Sequence, residues 1–132
     1  GVGIGHQPGL ENGHGVHFHH PLQHVREFVT IARRILSTGQ VTFHGDIYTI
    51  KQYQLENPLD QPVPVYIAAL RPQMLRLAGA VADGVLLNWA SPEYIPQAIA
   101  YIREGAEAEM NGGGGVPDQH NRLSIGAAAV GR

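Results

Sequence analysis

The spacing of hydrophobic residues in the first half of the chain predicts one long helix and one β-hairpin. Apolar residues recur at helical spacing over residues 21–36, and Gly39 follows at a position typical of a C-capping glycine. Over residues 41–50 apolar and polar residues alternate instead, on either side of a turn at Gly45 and Asp46. We therefore expect a helix followed directly by two short antiparallel strands.

The second half of the chain alternates between short apolar runs and helical patterns. Continuous apolar runs of this kind are typical of strands that are buried on both faces, as in a parallel sheet. The expected elements are a strand over residues 63–69, a helix over 72–82, a strand over 85–87, a helix from Pro92 that the glycines at 112–115 break, and a strand over 123–130.

This order of elements predicts an α/β fold with a parallel sheet and right-handed crossovers. Either an open doubly wound sheet or a (β/α) barrel would satisfy it, and periodicity alone does not choose between them. A complete barrel needs about 250 residues, so a chain of 132 residues would supply roughly half of its eight strands.

The first twenty residues have little periodicity. The apolar run at residues 1–5 predicts the end of a strand, and residues 6–20 predict a long loop rich in glycine and histidine. Both this opening run and the run that ends at Val130 have the composition of buried strands, whereas domain termini are usually polar. We therefore expect both ends to continue in a longer protein, and the isolated chain to be marginally stable or to aggregate.

Composition narrows the classes of function. The hydrophobic fraction of 43% is typical of a globular domain, and a formal net charge of -2 does not favour a nucleic acid or a membrane surface as partner. The absence of cysteine excludes disulfides, thiolate nucleophiles and Cys-based zinc sites. No apolar run approaches the roughly 20 residues of a membrane span. We expect a cytoplasmic protein that binds a small molecule.

Three predicted strand ends are candidates for ligand binding, because ligands of parallel α/β folds lie at the C-terminal ends of the strands. They are residues 3–6, residues 69–72 and residues 88–92. The last two lead directly into helices, whose N-termini attract anions, and Arg71 adds a positive charge. Asp83 and Gly84 precede a strand instead, which predicts a structural role in a turn.

Six histidines in the first 24 residues suggest a metal site as an alternative function. They are His6, His14, His17, His19, His20 and His24. Their spacing matches no helical zinc motif, and few carboxylates are near. The glycines of residues 1–5 form no complete dinucleotide fingerprint, because His6 stands at the place of the third glycine. Two other interpretations of these glycines stay open, close approach of the backbone to a ligand and a tight exit from the strand.

Taken in order, residues 64–89 resemble the luciferase-like monooxygenase superfamily, and in particular its deazaflavin-dependent members similar to methylenetetrahydromethanopterin reductase. Residues 3–6 and His14–Gly15 resemble the loop after the fourth strand of that family, residues 21–36 its next helix, and residues 41–48 its hairpin insertion. The resemblance covers residues 1–132 as one partial domain. It implies a fragment of a (β/α)8 TIM barrel, roughly strands four to seven, without the first three strands and the last.

The resemblance implies an oxidoreductase that uses FMN or the deazaflavin coenzyme F-420 (F420) and acts on a small organic substrate. It places the phosphate-bearing tail of the cofactor at two segments, the exit of the fourth strand and the loop after the fifth. Many relatives have glycine at the position of Arg71, so the resemblance does not define the contact of that residue. It assigns no catalytic base, leaves monooxygenase and reductase open, and implies a homo-oligomer of the full-length protein. The expected cofactor-binding residues are Gly3, Ile4, Gly5, His6, Leu70, Arg71, Pro72 and Met74.

Two other functions stay open at this point. A histidine-rich metal-binding module would need several of the loop histidines to converge on one ion. An inactive scaffold fragment would bind no ligand and would expose apolar strand edges.

Overall fold

The computed structural model describes residues 1–112 and 124–128, which fall into two compact units. One unit comprises residues 2–63, and the other comprises Gly1 and the described residues from Pro64 onward. The elements in chain order are α1 Gln7–His14, α2 Pro21–Thr38, β1 Gln40–His44, β2 Thr49–Gln54, β3 Tyr66–Ala68, α3 Pro72–Val81, β4 Gly84–Asn88, α4 Ile95–Gly112 and β5 Ser124–Ala128.

The first unit is built on α2 and the β1–β2 hairpin, as the sequence predicts. The buried face of α2 carries Val25, Val29 and Ile31, and the helix packs against β1. At its end Gly39 adopts a left-handed conformation (φ 73°), and its N–H donates to the carbonyl of Ile35 at 2.9 Å. The hairpin is antiparallel and its register shifts between Val41 and Phe43. Its turn is longer than predicted, since β2 begins only at Thr49.

The segment before α2 differs from the prediction in two respects. Residues 7–14 form helix α1 within the predicted loop, and Gly15 ends this helix in the left-handed conformation. The two glycines at 9 and 13 interrupt the apolar periodicity, so the pattern did not indicate a helix. Within the predicted strand of residues 1–5, only Val2 takes part in a β-bridge.

The second unit contains a parallel sheet in the order β3-β4-β5. Ile67 pairs with Val85 and Ala68 with Leu86. Ile67 and Val85 lie on the face that α3 covers and are fully buried, whereas Leu86 on the opposite face is exposed. The expectation that these strands are buried on both faces was therefore wrong within this unit, because its helices cover one face only.

Helices α3 and α4 pack at very short range. A Cβ atom on Gly79 would meet the carbonyl oxygen of Ile102, and one on Gly105 would meet the carbonyl oxygen of Arg76. At the surface, Arg76 of α3 contacts two residues of α4. Its Nε lies 2.7 Å from Glu104 Oε2, and its guanidinium lies 4.5 Å from the centroid of the Tyr101 ring. Glycine at both crossing positions lets the two backbones touch.

Helix α4 starts later than predicted. Pro92 belongs to a turn, and the helix begins at Ile95, with Pro96 as its second residue. The predicted breaking glycines at 113–115 and the outer residues of the predicted last strand lie outside the described residues. In the described part of the chain, no helix has the length and apolar character needed to cross a membrane.

Candidate functional site

A half-open cavity of about 260 Å³ lies inside the first unit. Its lining comes from the first residues of the chain, from α1 and the segment after it, from the start of α2, and from Tyr48 in the hairpin turn. Most of its lining side chains are apolar, and the polar ones are three histidines and one tyrosine. The lining residues are Val2, Gly3, Ile4, Leu10, Val16, His17, Phe18, His19, Pro21, His24, Val25, Phe28 and Tyr48.

Three of the polar side chains, those of His19, His24 and Tyr48, contact one another and form what we call the polar edge of the cavity. The Nδ1 atom of His24 lies 3.2 Å from the hydroxyl oxygen of Tyr48, which is hydrogen-bonding distance. The ring of His24 also packs edge-on against His19, with 5.1 Å between centroids. Sequence reasoning missed this pair because 24 positions separate its members, and no local pattern indicates that a helix residue and a hairpin-turn residue meet.

Tyr48 is held in place by a buried carboxylate, that of Glu27 on α2. Glu27 is only 3% exposed. Its carboxylate accepts hydrogen bonds from the backbone N–H groups of Asp46, Ile47 and Tyr48, the last at 2.9 Å. It also accepts a hydrogen bond from the Gln23 side-chain amide at 2.7 Å. Burial alone would raise the pKa of Glu27, but the bonds from Tyr48, Gln23, Ile47 and Asp46 together hold that pKa below its ordinary value.

The four cofactor residues predicted at the first strand end divide between two places. Gly3 and Ile4 line the cavity. Gly5 is in the left-handed conformation (φ 71°), and His6 is exposed directly before α1, where its carbonyl accepts the N–H of Leu10. The structure thus turns the chain sharply at Gly5, and it leaves the His6 ring open to solvent.

The predicted residues after β3 form the N-terminus of α3. Arg71 is the N-cap residue in extended conformation, its side chain is exposed, and no side chain caps the helix. The free backbone N–H groups of this first turn and the Arg71 guanidinium are the donor set that an anion requires. Pro72 offers no N–H, and the Met74 side chain is buried, so Met74 can contact a ligand only through its backbone.

The start of α4 is less suited to an anion than the sequence suggested. The Glu93 carboxylate already lies there, and hydrogen bonds from its own backbone N–H and from the Ser91 hydroxyl lower its pKa. A second negative charge beside this carboxylate would be repelled. Nearby, the hydroxyl of Tyr94 donates to the carbonyl of Leu70 at 2.8 Å, which ties this turn to the end of β3.

The histidines do not converge. Within the described residues, no three His, Asp or Glu side chains come close enough together to hold a metal ion. His19 contacts His20 and His24 through ring edges only, and its Nδ1 lies 3.1 Å from the backbone carbonyl of His17. The geometry therefore lends the metal-binding alternative no support.

Comparison with known proteins identifies the family. The sequence model of the luciferase-like monooxygenase family matches residues 1–125. The chain belongs to this family.

Two curated relatives of this luciferase-like chain share about a third of its residues over the aligned part. A 5,10-methylenetetrahydromethanopterin reductase of Methanolobus tindarius is 33% identical over 107 residues, which cover 81% of the chain and 32% of the reductase. An F420-dependent glucose-6-phosphate dehydrogenase of Mycobacterium tuberculosis is 36% identical over 86 residues, which cover 64% of the chain and 26% of the dehydrogenase. The luciferase-like chain thus spans about a third of the length of these relatives or less.

A solved structure supports the fold. The coenzyme F420-dependent tetrahydromethanopterin reductase of Methanopyrus kandleri superposes on 95% of the luciferase-like chain with a TM-score of 0.76, at 24% sequence identity, and the match covers 38% of that reductase. At this identity the match concerns the fold alone. The luciferase-like chain is therefore an α/β fragment with the fold of barrel enzymes, which decides against the open doubly wound sheet.

Proposed function

We propose that the chain is part of an oxidoreductase that transfers a hydride between F420 and a small organic substrate. The observation that carries this proposal is the identity of 33–36% to reductases and dehydrogenases, one of them F420-dependent by name. FMN is the second candidate, because the family includes flavin-dependent monooxygenases. When bound, either cofactor supplies the hydride chemistry through its flat ring, while the protein binds and orients it.

We further propose that Val2 lies at the end of barrel strand four, that β3, β4 and β5 are barrel strands five to seven, and that β1 and β2 are the hairpin insertion. The parallel order of the three-stranded sheet supports this correspondence. Because ligands of a barrel bind at the C-terminal ends of its strands, the segments after Val2 and after β3 are then on the functional side.

The donor set at the start of α3 fits a phosphate of the cofactor tail. Arg71 contributes an exposed guanidinium that can bind a phosphate in bidentate fashion, and the first turn of α3 contributes backbone N–H groups. Gly3 and Gly5 carry no side chain, so the backbone at the first strand end is open to close contact with a ligand. We assign Gly3, Ile4, Gly5, His6, Leu70, Arg71, Pro72 and Met74 to cofactor binding and name no catalytic base.

A fluorescence titration of the protein with F420, and separately with FMN, tests the proposal. Saturable binding of F420 with much weaker binding of FMN is the expected result. Arg71→Gln should raise the Kd of F420 about ten-fold, the value for loss of a hydrogen bond to a charged group. Arg103→Gln on the exposed face of α4 is the matched control and should leave the Kd unchanged. Binding of neither cofactor would refute the proposal.

The whole protein is further proposed to act on a small molecule and to form a homo-oligomer. Light scattering of the protein in solution gives the oligomeric state directly, and a monomer at micromolar concentration would contradict the second part.

A further inference from the structure

The cavity of the first unit has the composition of a site for an uncharged molecule. Its walls are hydrocarbon from side chains such as Ile4, Leu10, Val25 and Phe28. Among the described residues that line it, none is a lysine, arginine, aspartate or glutamate. A cation would lose hydration here and would find no carboxylate in return. An anion would find only the imidazoles of His17, His19 and His24, so burial of an ionised ligand costs free energy. A neutral and largely apolar ligand has no such cost.

The volume limits the size of the ligand. The cavity measures about 260 Å³, just below the range of roughly 300–1,000 Å³ that is typical of sites for drug-sized molecules. A compact molecule therefore fits inside, whereas a whole cofactor with a tricyclic ring and a phosphate tail would extend out of the open side.

The His24–Tyr48 pair offers one hydrogen-bond donor to a ligand. His24 and Tyr48 share one hydrogen bond of 3.2 Å, in which either the hydroxyl or the imidazole N–H is the donor. A neutral imidazole has one N–H and the phenol has one O–H. Since the shared bond uses one of these two, the pair keeps a second polar hydrogen in either tautomer. That hydrogen can be donated to a ligand oxygen.

The polar edge is also preorganised. Glu27 and His24 lie one turn apart on the same helix, and Glu27 fixes the backbone of Tyr48 through its N–H. The carboxylate thus sets the position from which the Tyr48 hydroxyl reaches His24. A site whose polar groups are fixed before the ligand arrives loses less entropy on binding.

We propose that this cavity binds the substrate of the enzyme, a compact neutral molecule with an apolar body and one carbonyl or hydroxyl oxygen that accepts a hydrogen bond from the His24–Tyr48 pair. Only the identification of this ligand as the substrate rests on the proposed function. The binding of a neutral, oxygen-bearing molecule is argued from the cavity alone and does not depend on the proposed function. Gly3 and Ile4, which are assigned to the cofactor, also line the cavity and place its ligand beside the first strand end.

The test uses NMR of the protein with ¹³C-labelled His and Tyr rings, and cyclohexanone as the probe. We expect cyclohexanone to shift the ring signals of His24 and Tyr48 saturably. Cyclohexanecarboxylate has the same ring with a charge, and it should bind at least ten-fold more weakly. Tyr48→Phe alone would leave the imidazole N–H of His24 as a donor, so the test uses the double variant His24→Phe/Tyr48→Phe, which removes both polar hydrogens. It should raise the Kd of cyclohexanone about three- to ten-fold, the range for one neutral hydrogen bond. The Kd of this variant is read from the ring signals of His17 and His19, which also line the cavity. Tyr53→Phe is the matched control, because Tyr53 is an exposed hairpin residue that does not line the cavity.

The outcomes separate this inference from the proposed function. Absence of saturable shifts at His24 and Tyr48, equal binding of the carboxylate, or an unchanged Kd in a folded His24→Phe/Tyr48→Phe variant would each overturn the inference. If that happens while F420 still binds, the proposed function stands. If cyclohexanone binds as expected and neither F420 nor FMN binds, the cavity is a ligand site but the oxidoreductase function is refuted. Circular dichroism of His24→Phe/Tyr48→Phe verifies that the variant is folded.

Discussion

The carboxylate of Glu27 lies 2.9 Å from the backbone nitrogen of Tyr48, across 21 positions of sequence. One side chain of α2 thereby closes the hairpin turn that joins β1 and β2. Next to it, Gly45 has no room for a side chain, because a Cβ atom there would meet the Glu27 carboxylate. A buried carboxylate that accepts three backbone N–H groups is a structural device, and it explains why an acidic residue lies on the buried face of an amphipathic helix.

Glu27→Gln is expected to destabilise the protein at neutral pH and to reduce the loss of folding stability that occurs as the pH falls. The folded-state pKa of Glu27 is below the unfolded value, so its ionisation stabilises the fold above the unfolded pKa, and this contribution is lost as the pH falls through the folded pKa. Thermal unfolding from pH 7 down to pH 3 measures it. We expect Glu27→Gln to lower the Tm at pH 7 by about 4 °C or more.

The control for Glu27 is Glu56→Gln, since Glu56 is exposed beyond the end of β2. It should leave the Tm at pH 7 within about 1 °C of the wild type. A Glu27→Gln variant with wild-type stability and wild-type acid dependence would show that the carboxylate is not ionised in the fold.

The crossing of α3 and α4 gives a second expectation. Replacing an exposed helical glycine by alanine usually stabilises a helix by about 0.5–1 kcal/mol. At Gly79 the added methyl group would strike the backbone of Ile102, which cannot move away as a flexible side chain would. Gly79→Ala should therefore destabilise the protein by about 1–3 kcal/mol, measured by urea unfolding.

Gly13→Ala on α1 is the matched substitution for Gly79, because a Cβ atom on Gly13 would have nothing within 4 Å of it. It should have no destabilising effect, or a small stabilising one. Equal effects of the two substitutions would mean that the helices are not in backbone contact.

The sequence predicts those parts of the structure that local residue patterns determine, and it does not predict contacts between residues far apart in the chain. The periodicity of α2, of α3 and of the β3–β4 runs is intrinsic to each segment, and these elements were confirmed close to their expected bounds. Helix α1 was missed because its glycines remove the apolar stripe. The cavity could not be predicted, since His24 and Tyr48 meet only after the hairpin has folded onto α2.

Asp83 was predicted to be structural rather than catalytic, and its contacts support a test of that role. Its Oδ2 accepts the N–H of Val65 at 2.8 Å, and its own N–H donates to the Val65 carbonyl at 2.9 Å. Asp83→Ala should cost about 1.5–3 kcal/mol of stability, the range for a hydrogen bond to a charged acceptor. The Kd of F420, measured at a temperature where the variant is folded, should not change. A large loss of F420 affinity in the folded variant would place Asp83 in the site.

Trp89 combines an exposed ring with an unfavourable backbone. It follows β4, its side chain is 77% exposed, and its φ is 61°, a conformation that costs a non-glycine residue about 1–2 kcal/mol. Glycine adopts this conformation freely, so Trp89→Gly should keep or raise the Tm.

Because the ring stands at the C-terminal end of a parallel strand, where ligands bind, the same variant should weaken F420 binding. Trp89→Phe keeps an aromatic face and should retain most of the affinity. Thermal unfolding and F420 titration of both variants decide the matter. A Trp89→Gly variant that loses stability and keeps its affinity would show that the ring serves packing in the whole protein and not the ligand.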